Sequence, residues 1–95
     1  MHVITRRKLL EFTARYPDAE AALDTWYRTA RRAAWRNLAE IRETYPHADY
    51  VAPHTVFNIR GNNYRLIAEI FYDDQTLLVR HVLTHTQYDE GEWKK

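Results

Sequence analysis

The sequence predicts an α+β domain in which helices cover one face of a mainly antiparallel sheet. Apolar residues recur at helical spacing in the first half of the chain and at strand-like, alternating spacing in the second half. Gly-Asn-Asn at 61–63 and Asp-Asp-Gln at 73–75 separate three strand-like segments, as in a β-meander. The 95 residues are expected to form one domain, residues 1–95.

The first half of the chain is predicted to contain one short strand and two to three helices. The strand ends at Thr5, a suitable N-cap for a helix that reaches residue 16. Asp18 can cap a second helix, and Asn37 can cap a short third helix that ends near residue 45. The apolar stripe of the second helix comprises Ala22, Leu23, Trp26, Tyr27 and Ala30.

The second half is predicted to contain three antiparallel strands followed by a short C-terminal helix or tail. Residues 50–60 alternate, with Asn58 and Arg60 expected on the same face. Residues 64–72 and 77–83 supply the next two strands, the last of them central and covered on both faces. The N-terminal strand should join this sheet, because alone it would be unstable. One face of the sheet is then open to a ligand.

The composition excludes several classes of function. There is no Cys, which excludes disulfides and thiolate metal sites, and there is no Ser, which removes a common acyl-transfer nucleophile. Neither a signal peptide nor a membrane span is recognisable, so a cytoplasmic protein is expected. Eleven of the fourteen basic residues are Arg, which suits phosphates or an acidic partner, although composition alone does not reject a coding bias toward Arg.

Polar residues concentrate at the first hairpin turn and after the last strand. If the meander is antiparallel, these two regions meet at one end of the sheet, so that Arg60, Arg65, His85 and Tyr88 converge. The residues around the turn are Asn58, Arg60, Asn62, Asn63 and Arg65, and those after the last strand are His85, Tyr88 and Asp89.

Such a set fits the cleavage of RNA without a metal or any other cofactor. Arginines can stabilise the charge of a phosphodiester transition state, and a His can transfer protons at a 2′-hydroxyl or a leaving 5′-oxygen. Tyr88 can stack on a base or donate a proton, and Asp89 can orient the imidazole of His85. For Arg60, a solvated charge at the strand edge is an equally good interpretation. No pair of His residues has the spacing of a zinc site.

A second cationic feature lies on the second predicted helix. Arg28, Arg31, Arg32 and Arg36 recur on one helical face, either as a solvated surface or as a docking surface for RNA or an acidic partner. The candidate RNA-binding residues are therefore Asn58, Arg60, Asn62, Arg28, Arg32 and Lys94.

Two motifs resemble those of the HigB-type toxins, within the RelE-like superfamily of toxin–antitoxin systems. They are Val56-Phe-Asn-Ile-Arg-Gly-Asn-Asn-Tyr-Arg-Leu-Ile67 and Val82-Leu-Thr-His-Thr-Gln-Tyr-Asp89, and the resemblance covers essentially the whole chain. It implies a RelE-like fold and an mRNA interferase that cuts mRNA in the ribosomal A site. It also implies a helix-turn-helix (HigA-like) antitoxin as partner, operator DNA bound only through the antitoxin complex, and no membrane partner.

The resemblance also suggests roles for individual residues. The superfamily's strand arginine falls on Arg65, as a ligand of the phosphate or transition state, and its acid/base or stacking positions fall on His85 and Tyr88. Asp89 would orient the His or carry a second proton. Well-known relatives place lysines on the sheet, and this sequence has none there, so His85 has to supply the acid or base. Two alternatives stay open: a non-catalytic ParE-like toxin that binds a protein such as gyrase, and an inactive RNA-binding co-repressor.

Overall fold

The computed structural model describes residues 1–94 and confirms the α+β class. One sheet, four α-helices and two single-turn 3-10 helices, at Pro17–Ala19 and Glu92–Lys94, are present within those residues. The helices are α1 (Arg6–Arg15), α2 (Glu20–Arg32), α3 (Leu38–Thr44) and α4 (His85–Glu90). The strands are β1 (His2–Ile4), β2 (Asp49–Val51), β3 (His54–Ile59), β4 (Tyr64–Phe71) and β5 (Thr76–Thr84).

The five strands form a mixed sheet in the order β1-β5-β4-β3-β2. β1 joins the sheet as expected and runs parallel to β5, while the other neighbours are antiparallel. The segment predicted as one strand over 50–60 is in fact a hairpin, because a turn at Ala52-Pro53 separates β2 from β3. Proline lacks the N–H that a continuous strand would need there. In register, Arg65 lies opposite both Asn58 and Leu83.

The main hydrophobic core fills the space between the sheet and helices α1 to α3. Trp26 of α2 is fully buried and meets the ring of Phe57 on β3 edge to face, with 5.4 Å between centroids. Trp35 and Tyr45, which flank α3, pack on the same Phe57 ring. Aromatic side chains bury large areas each, which lets a chain of this length build a core.

A smaller hydrophobic cluster lies on the opposite face of the sheet, where an open surface was expected. Val56 and Ile67 project from β3 and β4 and are covered by Trp93, which follows α4. Val51, Leu83 and Tyr88 pack around this group. The C-terminal segment therefore covers part of that face and fixes α4 at one end of the sheet.

Of the three predicted helix caps, Asn37 is confirmed, Thr5 is at the N-cap position of α1 but makes no side-chain cap, and Asp18 is wrong. The side chain of Asn37 caps α3 by accepting a hydrogen bond from the Glu40 N–H at 3.0 Å, as predicted. Thr5 has a left-handed backbone (φ 72°) and its hydroxyl donates to the Val79 carbonyl at 2.7 Å instead. Asp18 makes no cap either, because its carboxylate is used in a tertiary contact. Of the helices within residues 1–94, none is long and apolar enough to cross a bilayer.

Candidate active site

Helix α4 carries three of the predicted catalytic residues, and its first residue follows directly from β5. Thr84 and Gln87 form a reciprocal capping box: the Gln87 N–H donates to the Thr84 hydroxyl at 3.2 Å, and the Thr84 N–H donates to the Gln87 amide oxygen at 3.0 Å. At its other end, Gly91 adopts the left-handed conformation (φ 77°) that glycine tolerates best. The caps give α4 defined ends although it has only six residues.

His85 and Asp89 form the polar centre of the site. They lie one helical turn apart, and the His85 Nδ1 is 2.9 Å from an Asp89 carboxylate oxygen. Both side chains are accessible, with 43% of His85 and 60% of Asp89 exposed. A carboxylate this close to Nδ1 favours the tautomer of the ring that carries its proton on Nδ1. Nε2 is then the nitrogen that can exchange a proton with a substrate.

The hairpin turn between β3 and β4 packs directly against the start of α4. The His85 N–H donates to the Asn63 carbonyl at 3.0 Å, so the turn and the helix are joined through their backbones. Arg65 stabilises the same turn. Its guanidinium donates to the Asn62 carbonyl, to the Asn62 side-chain oxygen and to the Tyr64 carbonyl, at 2.6–3.1 Å. The turn therefore has little freedom relative to His85.

Arg65 is largely buried, which bears on its predicted role. Only 8% of the residue is exposed, and its charge is compensated by the turn oxygens and by the ring of Tyr88, 5.3 Å away. A buried cation needs such partners, because burial without them is costly. Arg65 is thus at the predicted site, but its guanidinium supports the turn and Tyr88 in addition to anything it offers a substrate.

The ring of Tyr88 contacts both Arg65 and Trp93. Arg65 lies over its ring, and the Trp93 ring lies parallel to it at 5.3 Å and 14°. The Trp93 indole N–H also donates to the Tyr88 carbonyl at 3.1 Å, and His54 packs edge-on against the indole. Arg65 and Trp93 already contact the Tyr88 ring, which leaves less of it for stacking on a base, whereas proton donation needs only its hydroxyl.

The structure separates Arg60 from this set, contrary to the prediction that it shares a face with Asn58. β3 ends at Ile59, and Arg60 has a left-handed backbone (φ 51°), so strand alternation no longer applies. The Arg60 guanidinium instead lies 3.4 Å from the Asp18 carboxylate, which also accepts the Tyr64 hydroxyl hydrogen bond at 2.6 Å. The pKa of Tyr64 is raised above its usual value, mainly by that hydrogen bond and to a lesser extent by burial.

The other predicted RNA-binding residues are distributed over two faces. Asn58 and Asn62 flank Arg65, and Lys94 lies over the Trp93 ring at 5.5 Å, so these three are near α4. Arg28, which pairs with Asp24, and Arg32 lie on the outer side of α2, across the sheet from α4. In residues 1–94 no group of three His, Asp or Glu side chains could hold a metal ion.

Sequence reasoning did not identify the structural part played by Trp93. Trp93 holds Tyr88 and caps the smaller hydrophobic cluster, and it is only 6% exposed. The only available signal was a bulky apolar residue in an otherwise polar C-terminal segment, which indicates burial.

A small sheet with helices on one face and a compact His–Asp–Tyr–Arg site at one end defines a RelE-like α+β domain. Residues 19–91 match the model of the HigB_toxin family, described as the RelE-like toxic component of a toxin–antitoxin system. The chain belongs to this family, and membership implies an antitoxin partner.

Curated relatives share the similarity over almost their whole length. The mRNA interferase toxin HigB of Escherichia coli K12 is 30% identical over 92 residues, which is 94% of this chain and 88% of the relative. The mRNA interferase HigB of Shigella flexneri gives the same values. The mRNA interferase HigB of Escherichia coli O6:H1 is 30% identical over 93 residues, 95% of this chain and 90% of the relative.

Proposed function

We propose that this toxin is an mRNA interferase, an endoribonuclease that cleaves mRNA during translation. The observation that carries the proposal is the accessible His85–Asp89 pair, 2.9 Å apart, fixed beside Tyr88 and Arg65 at the end of the sheet. The names of the relatives, which are mRNA interferases, agree with this chemistry. A purely protein-binding toxin would have no need of a His held and oriented by a carboxylate.

The proposed reaction uses acid–base chemistry of the side chains. Nε2 of His85 removes the proton of the 2′-hydroxyl, the 2′-oxygen attacks the adjacent phosphorus, and the bond from phosphorus to the 5′-oxygen breaks. The products are a 2′,3′-cyclic phosphate and a 5′-hydroxyl. Asp89 stabilises the imidazolium that forms, and the Tyr88 hydroxyl donates the proton that the leaving 5′-oxygen requires. Arg65 contributes positive charge next to Tyr88.

Cleavage is proposed to require the ribosome, and the charge of the protein supports this. The formal net charge is only +1, whereas tight binding to free RNA depends on many phosphate contacts. Asn58, Asn62 and Lys94 would bind RNA next to the site. Arg28 and Arg32, on the opposite side of the domain, would contact the ribosome or the antitoxin.

The antitoxin is proposed to be a helix-turn-helix, HigA-like protein, and operator DNA would be bound only through the complex. The family description supports the existence of an antitoxin, and the class of antitoxin follows from the resemblance of the motifs. The toxin would act in the cytoplasm, where it meets translating ribosomes.

Primer extension on mRNA in a purified translation system tests the proposal. The wild type, His85→Ala and Asp89→Asn are compared with and without ribosomes, and His2→Ala, which changes an exposed His on β1, is the matched control. We expect cuts within A-site codons that need ribosomes and His85, with a smaller loss in Asp89→Asn. Intact mRNA with a folded, toxic protein would instead indicate a protein target such as gyrase. Cleavage of naked mRNA would contradict ribosome dependence.

A further inference from the structure

A groove with a cationic lining runs between α1 and β5 and is not part of the site described above. Its volume is about 230 Å³, and its basic lining residues are Lys8, Arg15 and Arg80, together with His81. β1 pairs with β5 only over Thr76–Leu78, so within residues 1–94 the β5 edge beyond Leu78 has no strand neighbour on this side. Helix α1 lies along that edge and supplies the opposite wall.

The charges of the groove are only partly compensated. Glu11, the one acidic residue of the lining, pairs with Arg7 at 3.8 Å, and Arg80 pairs with Glu69 at 2.7 Å. Lys8 and Arg15 are exposed and have no ion pair within residues 1–94. Burial, and then the positive charges of Lys8, His54 and Arg80, lower the pKa of His81, as expected next to a group of cations.

The groove leads to the candidate active site. Leu83 forms part of its lining, pairs across the sheet with Arg65, and lies two residues before His85. A strand rises ~3.3 Å per residue, so Arg80 and His85 are roughly 16 Å apart. About five stacked nucleotides span that distance at ~3.4 Å each. One continuous strand of RNA can therefore contact both places.

We infer that this groove binds the phosphodiester backbone of the RNA substrate on one side of the cut, with Lys8 and Arg15 as its phosphate ligands. The inference rests on the proposed nuclease function. Exposed cations without acidic partners suit phosphates, and the groove between α1 and the strand edge has space for an extended chain. An acidic segment of the antitoxin would need the same charges, but only the substrate has to reach His85.

The test measures how the binding of inactive His85→Ala protein to mRNA-programmed ribosomes depends on salt. Each phosphate contact to single-stranded RNA adds about 0.7 to the slope of log K against log salt. Adding Lys8→Ala or Arg15→Ala should reduce the slope by about 0.7, and adding both by about 1.4. Arg6→Ala removes a charge from the same helix, but Arg6 lies over the Tyr27 ring at 4.6 Å and should leave the slope unchanged.

Several outcomes would overturn the inference. One is an unchanged slope in both groove variants, and another is an equal change on ribosomes whose mRNA ends before the A site, which would assign the contacts to ribosomal RNA. Loss of antitoxin binding with normal RNA binding would assign the groove to the antitoxin. In active protein, Lys8→Ala and Arg15→Ala should raise KM and leave kcat near the wild-type value. If the parent His85→Ala protein bound no ribosomes at all, the proposed function itself would fail.

Discussion

Replacement of Trp93 by Ala tests whether the smaller hydrophobic cluster holds the active site together. Trp93 is 6% exposed, covers Val56 and Ile67, stacks on Tyr88 and donates a hydrogen bond to its carbonyl. Replacing a buried Trp by Ala costs ~3–5 kcal/mol. A six-residue helix has no stability of its own, so this loss should fall mainly on the docking of α4.

The expected size of the effect follows from that free energy. Every ~1.4 kcal/mol is a factor of ten in an equilibrium, so a loss of ~3–5 kcal/mol raises the undocked population of α4 by roughly 10²–10⁴-fold. Hydrogen–deuterium exchange of the C-terminal peptides should accelerate accordingly, while the main sheet changes less. In the translation assay kcat should fall at least about tenfold, because His85 and Asp89 lose their fixed position.

Trp35→Ala is a matched control, because Trp35 is also 6% exposed but lies in the main core. Its loss should destabilise the whole domain, with a melting temperature lower by roughly 15–30 °C. Trp93→Phe keeps most of the packing, loses the indole hydrogen bond and should cost only about 1 kcal/mol. The reasoning is refuted if Trp93→Ala accelerates exchange uniformly over the domain, with no excess in α4.

Two further predictions concern stability away from α4. The pKa of His81 is lowered in the folded state, so the unfolded chain binds more protons below about pH 6.5. The free energy of unfolding should therefore fall between pH 7 and 5, and it should fall less in His81→Asn. An equal fall in the two proteins, measured by urea denaturation at each pH, would contradict this. Tyr64→Phe should lower the free energy of unfolding, because Asp18 loses its hydroxyl donor. A double-mutant cycle with Asp18→Ala should give a coupling energy well above zero, and additive costs would disprove the interaction.

The sequence predicted the strands and helices best where local residues decide the backbone. Gly61 lies at the hairpin turn with φ 63°, and Asn37 caps α3, both as expected. The predicted side-chain caps were not found where a residue distant in sequence binds the capping side chain. Thr5 is the N-cap residue of α1 as expected, but its hydroxyl bonds to Val79, 74 residues away, instead of capping the helix. Asp18 caps no helix and accepts a hydrogen bond from Tyr64, 46 residues away. Local propensity contains no information about either partner.

The same distinction applies to the candidate site. His85 and Asp89 are four residues apart on a helix, so their contact follows from the sequence once that helix is predicted. The position of Arg60 was predicted wrongly, because the left-handed turn rotates it off the face of Asn58. The contacts of Tyr88 with Arg65 and Trp93 depend on how the C-terminal segment folds back on the sheet. The spacing of these residues along the chain does not predict how that segment folds.

The arrangement of the two hydrophobic clusters separates stability from activity in this domain. The main core lies on the helical side of the sheet, whereas α4 has no fully buried residue and is held by Trp93 on the other side. Regions with few buried contacts open at lower free energy than the rest of a fold. The proposed catalytic pair, His85 and Asp89, thus lies in a part of the molecule that we expect to open without global unfolding. Substitutions around Trp93 should change cleavage before they change folding, and those around Trp26 should do the opposite.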